Sequence, residues 1–341
     1  MRPIKVLVVD DSMLFRKIIS YGLDQDNDIK VVAMAADPFQ ARDMILRFEP
    51  DVMTLDVEMP RMNGIDFLKK LMPQYPIPTV MISSLNETVF DAMNAGAVDF
   101  VNKPADMSAE KLAVWVKEEL VAKIKIASTV QVGKYQKTEG AKVASTGRNY
   151  RNKILAMGAS TGGTEAIAEV VSRFHPDIPG TVIVQHMPPG FTRMYAERLD
   201  KQCSVSVKEA ENGDLVEQGK VLIAPGDRQM RLVRSGGIYR VEIKEGEKVS
   251  GHCPSVDVLF HSVAKAAASD AVGVLMTGMG ADGAAGLLAM RKAGAKTVGQ
   301  DEKSCVVYGM PKVAYDIGAV TYRVSLENIA SKVYNIFNSM P

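Results

Sequence analysis

The length of the chain, 341 residues, suggests two domains rather than one hydrophobic core. With 47% hydrophobic and 24% charged residues it has the composition of a globular protein, and its formal net charge of +1 gives no reason to expect nucleic acid or an anionic membrane as a partner. The three cysteines, Cys203, Cys253 and Cys305, are far apart in the sequence, which argues against a disulfide framework or a zinc site and fits a reducing compartment. There is no signal-peptide pattern and no apolar run of membrane-spanning length, so we expect a cytoplasmic protein.

The first third of the chain alternates between short, apolar, β-branched runs and longer segments with a helical pattern. Five strands alternating with five helices predict a parallel, doubly wound α/β sheet. The predicted strands are Ile4–Val9, Val31–Ala35, Val52–Leu55, Thr79–Ser83 and Phe100–Asn102.

The pattern dissolves between about Lys123 and Arg151 into Lys, Thr, Ser, Gln and Gly. That composition predicts a linker, residues 124–150, between a domain of residues 1–123 and a second domain of residues 151–341. From Ile154 strands and helices alternate again, which predicts a second doubly wound α/β domain, and a turn-rich passage, Ser204–Lys244, predicts a small β-rich insertion in it. The predicted strands of this domain are Ile154–Met157, Val182–Gln185, Val272–Met276 and Thr297–Val298.

Polar residues follow the predicted strands of the first domain. Asp10 and Asp11 come after the first strand, Asp56 after the third, Ser83 ends the fourth and Lys103 follows the fifth. The carboxyl ends of parallel strands meet at one edge of the sheet, so we expect these groups to converge there. Three carboxylates make an oxygen site that suits Mg²⁺, and a carboxylate beside a cation can act as the nucleophile that forms an aspartyl phosphate.

The second domain opens with a strand, a tight turn and a predicted helix, Thr164–Val171. The turn reads Gly158-x-Ser160-x-Gly162, the pattern of a nucleophile elbow, in which small flanking residues allow a strained turn that exposes the serine oxygen. The helix N-terminus behind the serine offers free N–H groups to a developing anion. The same sequence pattern is also compatible with a glycine-rich loop that binds a phosphate group.

Two further strand ends offer partners for this serine. His186 follows the strand that ends at Gln185, and Asp282 lies in the glycine-rich loop after Met276. Ser160, His186 and Asp282 thus form a candidate triad, whose chain order differs from that of α/β-hydrolases. The main-chain N–H groups of Thr161 and Met279 are the candidate oxyanion donors. No cofactor is needed for such a hydrolysis.

The other histidines fit structural roles better than catalytic ones. His175 precedes a proline, His252 lies in a polar loop, and His261 falls inside an amphipathic helix.

The loop around Asp282 allows a second interpretation. Gly278-x-Gly280-x-x-Gly283 matches the dinucleotide-binding fingerprint, and Asp301 follows about twenty residues later. Against this, Asp282 would put a negative charge beside the pyrophosphate, and the fingerprint normally opens its domain. A cofactor-binding output module therefore remains the weaker alternative. A transcriptional regulator is disfavoured by the near-neutral charge and the strand-rich second half.

The residues at the strand ends of the first domain resemble those of response-regulator receiver domains. The resemblance implies that Asp56 is phosphorylated by a histidine kinase and that Asp10 and Asp11 bind Mg²⁺ together with Asp56. We also predict the main-chain oxygen of Glu58, two residues after Asp56, as a ligand of this metal site. The resemblance also implies that Ser83 is the switch hydroxyl and that Lys103 contacts the phosphate.

The second domain is similar to the chemotaxis protein-glutamate methylesterases, through the stretches around Ser160, His186, Pro254-Ser255-Val256-Asp257 and Asp282. The resemblance implies hydrolysis of glutamate γ-methyl esters, and deamidation of certain glutamines, on the cytoplasmic helices of chemoreceptors by this triad. It implies inhibition by the receiver until a chemotaxis histidine kinase phosphorylates it, with no nucleic acid partner and no membrane insertion. The chain departs from the family at Cys253, where a basic residue is common; if that charge helps to recognise acidic receptor helices, the substrate preference differs here, and the triad is unaffected.

Overall fold

The computed structural model of the chain describes residues 2–83, 88–104, 108–130, 132, 147–150 and 152–340. By its internal contacts the chain divides into two compact units, Met1–Gln136 and Lys137–Pro341, each with its own parallel sheet. Residues 131, 133–146 and 151, in and next to the predicted linker, lie outside the described residues. The linker and the domain limits therefore stay predictions.

The first unit contains the predicted five-stranded sheet, in the order β2-β1-β3-β4-β5, and every strand pair in it is parallel. The central strands β3 and β4 are buried along their whole length, as expected for a parallel sheet that is covered on both faces. The predicted fold class of this unit is confirmed. Its strands are β1 (Ile4–Val9), β2 (Ile29–Ala35), β3 (Val52–Asp56), β4 (Thr79–Ser83) and β5 (Asp99–Asn102).

Three helices of the first unit begin after residues that usually cap helices. The side chains of Ser12, Asp37 and Asn63 accept hydrogen bonds from main-chain N–H groups of α1, α2 and α3. A π-helical turn, Val116–Leu120, joins the last two helices, so the described helical stretch continues beyond residue 123. The helices are α1 (Met13–Leu23), α2 (Pro38–Phe48), α3 (Gly64–Leu71), α4 (Thr88–Asn94), α5 (Ala109–Trp115) and α6 (Val121–Ala127).

The second unit is built on a seven-stranded, wholly parallel sheet in the order β14-β13-β12-β6-β7-β9-β8. The prediction of a second α/β domain is confirmed, and the sheet also contains a short strand, β14, that we did not predict. The strands are β6 (Ile154–Ala159), β7 (Gly180–Gln185), β8 (Ser206–Glu209), β9 (Lys220–Ile223), β12 (Ala271–Leu275), β13 (Lys296–Gln300) and β14 (Tyr322–Val324).

The β-rich passage Ser204–Lys244 is only partly an insertion. Its first half supplies β8 and β9, which extend the main sheet beyond β7. The apolar run of β9 is largely buried there, as is usual for a strand inside a parallel sheet. Its second half forms a separate antiparallel hairpin, β10 (Gln229–Ser235) and β11 (Ile238–Lys244). The turn between them is Gly236-Gly237, and both glycines have positive φ, as a two-residue hairpin turn requires.

The helices of the second unit include the predicted helix after Ser160, which begins one residue earlier than expected, at Gly163. None of the helices in the described parts of the chain combines the length and apolar character that a bilayer span requires. The helices are α7 (Gly163–Val171), α8 (Phe191–Gln202), α9 (Val256–Ala266), α10 (Ala284–Lys292), α11 (Met310–Asp316) and α12 (Leu326–Ser339), with a 3₁₀ turn at Ala268–Asp270.

The position of β6 in this sheet determines where a site can form. The chain passes from β6 to its neighbour β7 and returns later to β12, which pairs with the opposite edge of β6. Ligand sites in open parallel sheets lie outside the carboxyl ends of the strands, where the direction of winding reverses. The loops after β6, β7 and β12 therefore meet at such a point.

Candidate active site and acidic pocket

Ser160 lies directly after β6 and is half-buried. Its main-chain N–H donates to the carbonyl oxygen of Thr277 at 2.9 Å, and its own carbonyl accepts from the N–H of Gly163 at 2.7 Å. The positive φ in this turn does not fall on Ser160, which is not among the described residues with positive φ. The left-handed residue is Gly162, with φ of 73°, where a Cβ atom would lie 2.5 Å from that of Val306.

The structure brings the side chains of Ser160, His186 and Asp282 into one line. His186 Nδ1 lies 3.0 Å from Ser160 Oγ, and His186 Nε2 lies 2.8 Å from Asp282 Oδ2. The ionised carboxylate of Asp282 can only accept a hydrogen bond, so the proton of the neutral imidazole belongs on Nε2. Nδ1 is then left as the acceptor for the serine hydroxyl. In serine proteases Nε2 faces the serine. The imidazole here presents the opposite nitrogen, which can take up the proton equally well.

Asp282 is buried and is surrounded by donors. Its carboxylate accepts from His186, from the hydroxyl of Ser255 at 2.7 Å, and from the main-chain N–H groups of Val256 at 2.7 Å and Asp257 at 3.0 Å, in the first turn of α9. Burial by itself would raise the pKa of Asp282, but the hydrogen bonds from His186, Ser255 and Asp257 outweigh it, so the pKa lies below its ordinary value. The carboxylate is therefore ionised beside His186 and also benefits from the helix dipole.

The glycine-rich loop after β12 runs against Ser160. A Cβ atom on Gly278 would lie 2.7 Å from Ser160 Cβ and 2.3 Å from Met310 Sδ, so only glycine fits there. The next residue, Met279, is exposed, and its N–H makes no hydrogen bond with the described residues. Thr161 is buried, and its carbonyl accepts from Thr277 Oγ1 at 3.0 Å. The roles of Thr161 and Met279 as oxyanion donors stay predictions.

The dinucleotide interpretation of this loop finds no support in its contacts. The N–H of Gly278 donates to the carbonyl of Val307 at 3.0 Å, and the carboxylate of Asp282 binds His186. Asp301 accepts from the main-chain N–H and the hydroxyl of Ser304, within its own turn. The N–H of Gly278 and the carboxylates of Asp282 and Asp301 are thus engaged in contacts within the protein.

The structure adds two side chains to the site that we did not select. The amide of Gln185, the last residue of β7, donates to the carbonyl of Ser160 at 2.9 Å. The ring of His252 stacks on the ring of His186, with centroids 3.7 Å apart and planes inclined by 11°. A polar residue at the end of a buried strand could have identified Gln185, whereas no local pattern identifies His252.

The first unit has an acidic pocket at the carboxyl ends of its strands. Asp10 and Asp56 are buried and Asp11 is exposed, and one ligand atom from each lies within 4.8 Å of the others. Lys103 Nζ lies 2.6 Å from Asp56 Oδ2 and 3.1 Å from Asp10 Oδ2. Burial raises the pKa of Asp56 to about 6, the Asp10 carboxylate adds to the rise, and Lys103 opposes it.

This donor set fits Mg²⁺, which prefers carboxylate oxygens and water. The ammonium group of Lys103 pairs with the carboxylates of Asp10 and Asp56, and the exposed Asp11 carboxylate lies beside them. Glu58 lines the same cavity, and its N–H donates to Asp56 Oδ1 at 3.3 Å. Ser83 is buried at the end of β4, next to β3 in the sheet. The pocket is typical of a Mg²⁺ site, while the individual ligand roles stay predictions.

We expect Asp56→Asn to stabilise the protein against unfolding at pH 8, without added metal, by about 1–2 kcal/mol. With its pKa at about 6, folded Asp56 keeps its proton in a pH range where the unfolded chain has lost it. The free energy of unfolding therefore falls as the pH rises to about 6 and stays lowered above it. The asparagine does not titrate, so its advantage should be small at pH 4 and should shrink when Mg²⁺ stabilises the wild type.

Thermal unfolding at pH 4 and pH 8, with EDTA or Mg²⁺, measures this difference. Asp43→Asn is the matched control, because Asp43 is an exposed acid of α2 paired with its neighbour Arg42. A gain from Asp56→Asn that is equal at both pH values would contradict the electrostatic explanation.

Comparisons with known proteins match both units of the chain. The CheB methylesterase family matches residues 155–333, and the response regulator receiver domain family matches residues 6–114. A protein-glutamate methylesterase/protein-glutamine glutaminase of Syntrophomonas wolfei is 59% identical over 100% of this chain and 99% of its own length. A protein of Syntrophotalea carbinolica with the same activities in its name is 51% identical over 99% of this chain and 98% of its own length.

A solved structure supports the fold of the second unit. The CheB methylesterase catalytic domain of Thermotoga maritima superimposes with a TM-score of 0.53 at 35% identity, covering 54% of this chain and 98% of that domain. The relatives match the chain over its full length, and the two family models match it one after the other. The chain belongs to the CheB family of chemotaxis protein-glutamate methylesterases/protein-glutamine glutaminases, with a receiver domain followed by a methylesterase domain.

Proposed function

We propose that this enzyme demethylates glutamate γ-methyl esters on the cytoplasmic helices of chemoreceptors, with Ser160 as the nucleophile. The observation that carries the assignment of residues is the hydrogen-bonded line from Ser160 through His186 to Asp282. A hydroxyl is a weak nucleophile unless a base takes its proton, and an oriented imidazole supplies that base.

The reaction begins when Ser160 Oγ attacks the ester carbonyl carbon and its proton passes to His186 Nδ1. Asp282 accepts the hydrogen bond from His186 Nε2–H and stabilises the imidazolium that forms. The N–H groups of Thr161 and Met279 hold the oxyanion. Collapse of the tetrahedral intermediate breaks the bond to the methoxy group, which takes the proton from His186 and leaves as methanol.

Water then completes the cycle. His186 takes a proton from a water molecule that attacks the acyl-enzyme, and the second collapse releases the glutamate side chain and restores the Ser160 hydroxyl. A receptor glutamine follows the same path with ammonia as the leaving group, so deamidation and demethylation share one acyl-enzyme. Neither half-reaction requires a cofactor.

The receiver domain provides the control. We assign Asp56 as the residue phosphorylated by the chemotaxis histidine kinase, and Asp10, Asp11, Asp56 and the main-chain oxygen of Glu58 as the residues that would hold Mg²⁺. Bound there, the cation would neutralise charge that develops on the phosphoryl oxygens. Lys103 contacts the phosphoryl group, and the Ser83 hydroxyl responds to it. The unphosphorylated receiver inhibits hydrolysis, and the protein works in the cytoplasm.

Methanol release from methylated receptor by the full-length protein, with and without a small phosphodonor and Mg²⁺, tests this function. The wild type is expected to release methanol faster after phosphorylation, and Asp56→Asn is expected to keep the slow release and lose the increase. Asp43→Asn, on the exposed surface of α2, should respond like the wild type. A phosphodonor response that persists in Asp56→Asn would refute the assignment of Asp56.

A further inference from the structure

The ring of His252 covers one face of the ring of His186. The two imidazoles are nearly parallel, with an inclination of 11°, and their centroid distance of 3.7 Å is van der Waals contact between flat rings. His186 uses both ring nitrogens in its own plane, one towards Ser160 and one towards Asp282. The contact with His252 is therefore perpendicular to the hydrogen bonds and does not compete with them.

A tight turn holds His252 in place. The main-chain groups of Val249 and His252 exchange two hydrogen bonds, each of 3.0 Å, and the two residues between them, Ser250 and Gly251, have φ values of 52° and 84°. Two successive residues with positive φ form the turn that closes a two-residue hairpin. The carbonyl oxygen of His252 also accepts from the amide of Gln229 at 3.4 Å.

The same segment of chain then reaches the carboxylate of the triad. Three residues after His252, the hydroxyl of Ser255 binds Asp282, and the N–H groups of Val256 and Asp257 do so as well. The stretch from His252 to Asp257 thus contacts both partners of the serine. Its helix end binds the carboxylate of Asp282, and the ring of His252 covers the face of the His186 ring.

We propose that His252 is a positioning residue of the hydrolase, which keeps the imidazole of His186 in the plane of its two hydrogen bonds. A ring that pivots about its Cβ–Cγ bond must tilt out of that plane, and a flat neighbour in contact with its face opposes the tilt. This inference rests on the proposed function of Ser160, His186 and Asp282.

The test compares His252→Ala, which removes the ring, with His252→Phe, which keeps a flat ring, in the full-length protein after phosphodonor treatment. We expect the alanine variant to lower kcat for methyl ester hydrolysis by about 10- to 100-fold, as for other small displacements of a catalytic group, with KM little changed. The phenylalanine variant should recover most of that loss. His261→Ala, at an exposed position of α9, serves as the control.

Nitrogen-15 NMR of the histidine rings gives a readout that does not depend on activity. The chain has only four histidines, so the His186 signals can be identified by comparison with a His186→Gln sample. The wild type and His252→Phe should show the Nε2–H tautomer, and His252→Ala should show a mixture of tautomers or exchange broadening. A merely structural contribution of His252 would lower the unfolding temperature without changing the tautomer.

Equal kcat and an unchanged tautomer in His252→Ala would overturn the inference, and so would equal losses in the alanine and phenylalanine variants. If the alanine variant does not fold, His252→Gln replaces it, since glutamine lacks the ring but keeps a polar side chain. A wild type that releases no methanol would count against the proposed function. The NMR comparison would still decide whether His252 positions His186.

Discussion

Replacing Ser160 with alanine is expected to lower methanol release from methylated receptor by a factor on the order of 10⁴–10⁶. The variant lacks the oxygen that forms the acyl-enzyme, so only binding and the oxyanion donors remain to assist the attack of water. Ammonia release from receptor glutamine should fall with it, because both products leave from the same tetrahedral geometry at Ser160.

Single-turnover release of labelled methanol by the phosphorylated full-length protein would measure this loss. Ser172→Ala is the matched control, since Ser172 ends the same strand–turn–helix unit, is exposed, and donates its hydroxyl to the carbonyl of Glu169. Wild-type rates in Ser160→Ala would exclude the serine mechanism. Loss of demethylation with intact deamidation would show that the two reactions use different nucleophiles.

Asp282→Asn is expected to reduce kcat by about 10⁴-fold, the size of the effect when the acid of a serine-protease triad becomes an amide. The carboxylate accepts from His186, Ser255, Val256 and Asp257, and an asparagine cannot accept with both of its polar atoms. Whichever way the amide turns, its NH₂ group faces donors. When the NH₂ group takes the position of Oδ2, the Nε2–H tautomer of His186 loses its acceptor, and Nδ1 is no longer kept as the acceptor for Ser160. In the other orientation the NH₂ group faces the main-chain N–H of Asp257.

The same variant should also be less stable, by about 1–3 kcal/mol at pH 7, because buried donors lose their acceptor. The pKa of Asp282 lies below its ordinary value of 3.8, since the hydrogen bonds to the carboxylate outweigh the effect of burial. Its contribution is therefore complete above that value and is lost as the pH falls through the lowered pKa. The difference between the variant and the wild type should shrink in acid.

Urea unfolding at pH 7 and near pH 3 would measure this difference, with Asp301→Asn as the control for an acid that accepts within its own turn. An Asp282→Asn protein that hydrolyses the ester at the wild-type rate would remove Asp282 from the mechanism, whatever its stability.

The sequence predicted most of the architecture because the relevant signals are local. The strands β1, β3, β4, β6 and β7 are short, mostly apolar runs that end in or are followed by a polar residue. In a parallel sheet such ends lie at one edge, so residues distant in the chain could be expected to converge. Strand β14 and the membership of β8 and β9 in the main sheet were not predicted, because short strands take their partners from tertiary packing rather than from their own composition.

By itself, then, the sequence determined two α/β domains, the strand-end groups that they carry, and through whole-chain motifs the family. Only the tertiary structure decided that His186 presents Nδ1 to Ser160, that Gly162 rather than the serine takes the left-handed conformation, and that His252 lies on the face of His186. The physical reason is range: a strand or a turn is specified by neighbouring residues, whereas the orientation of an imidazole is set by side chains that reach it from distant loops.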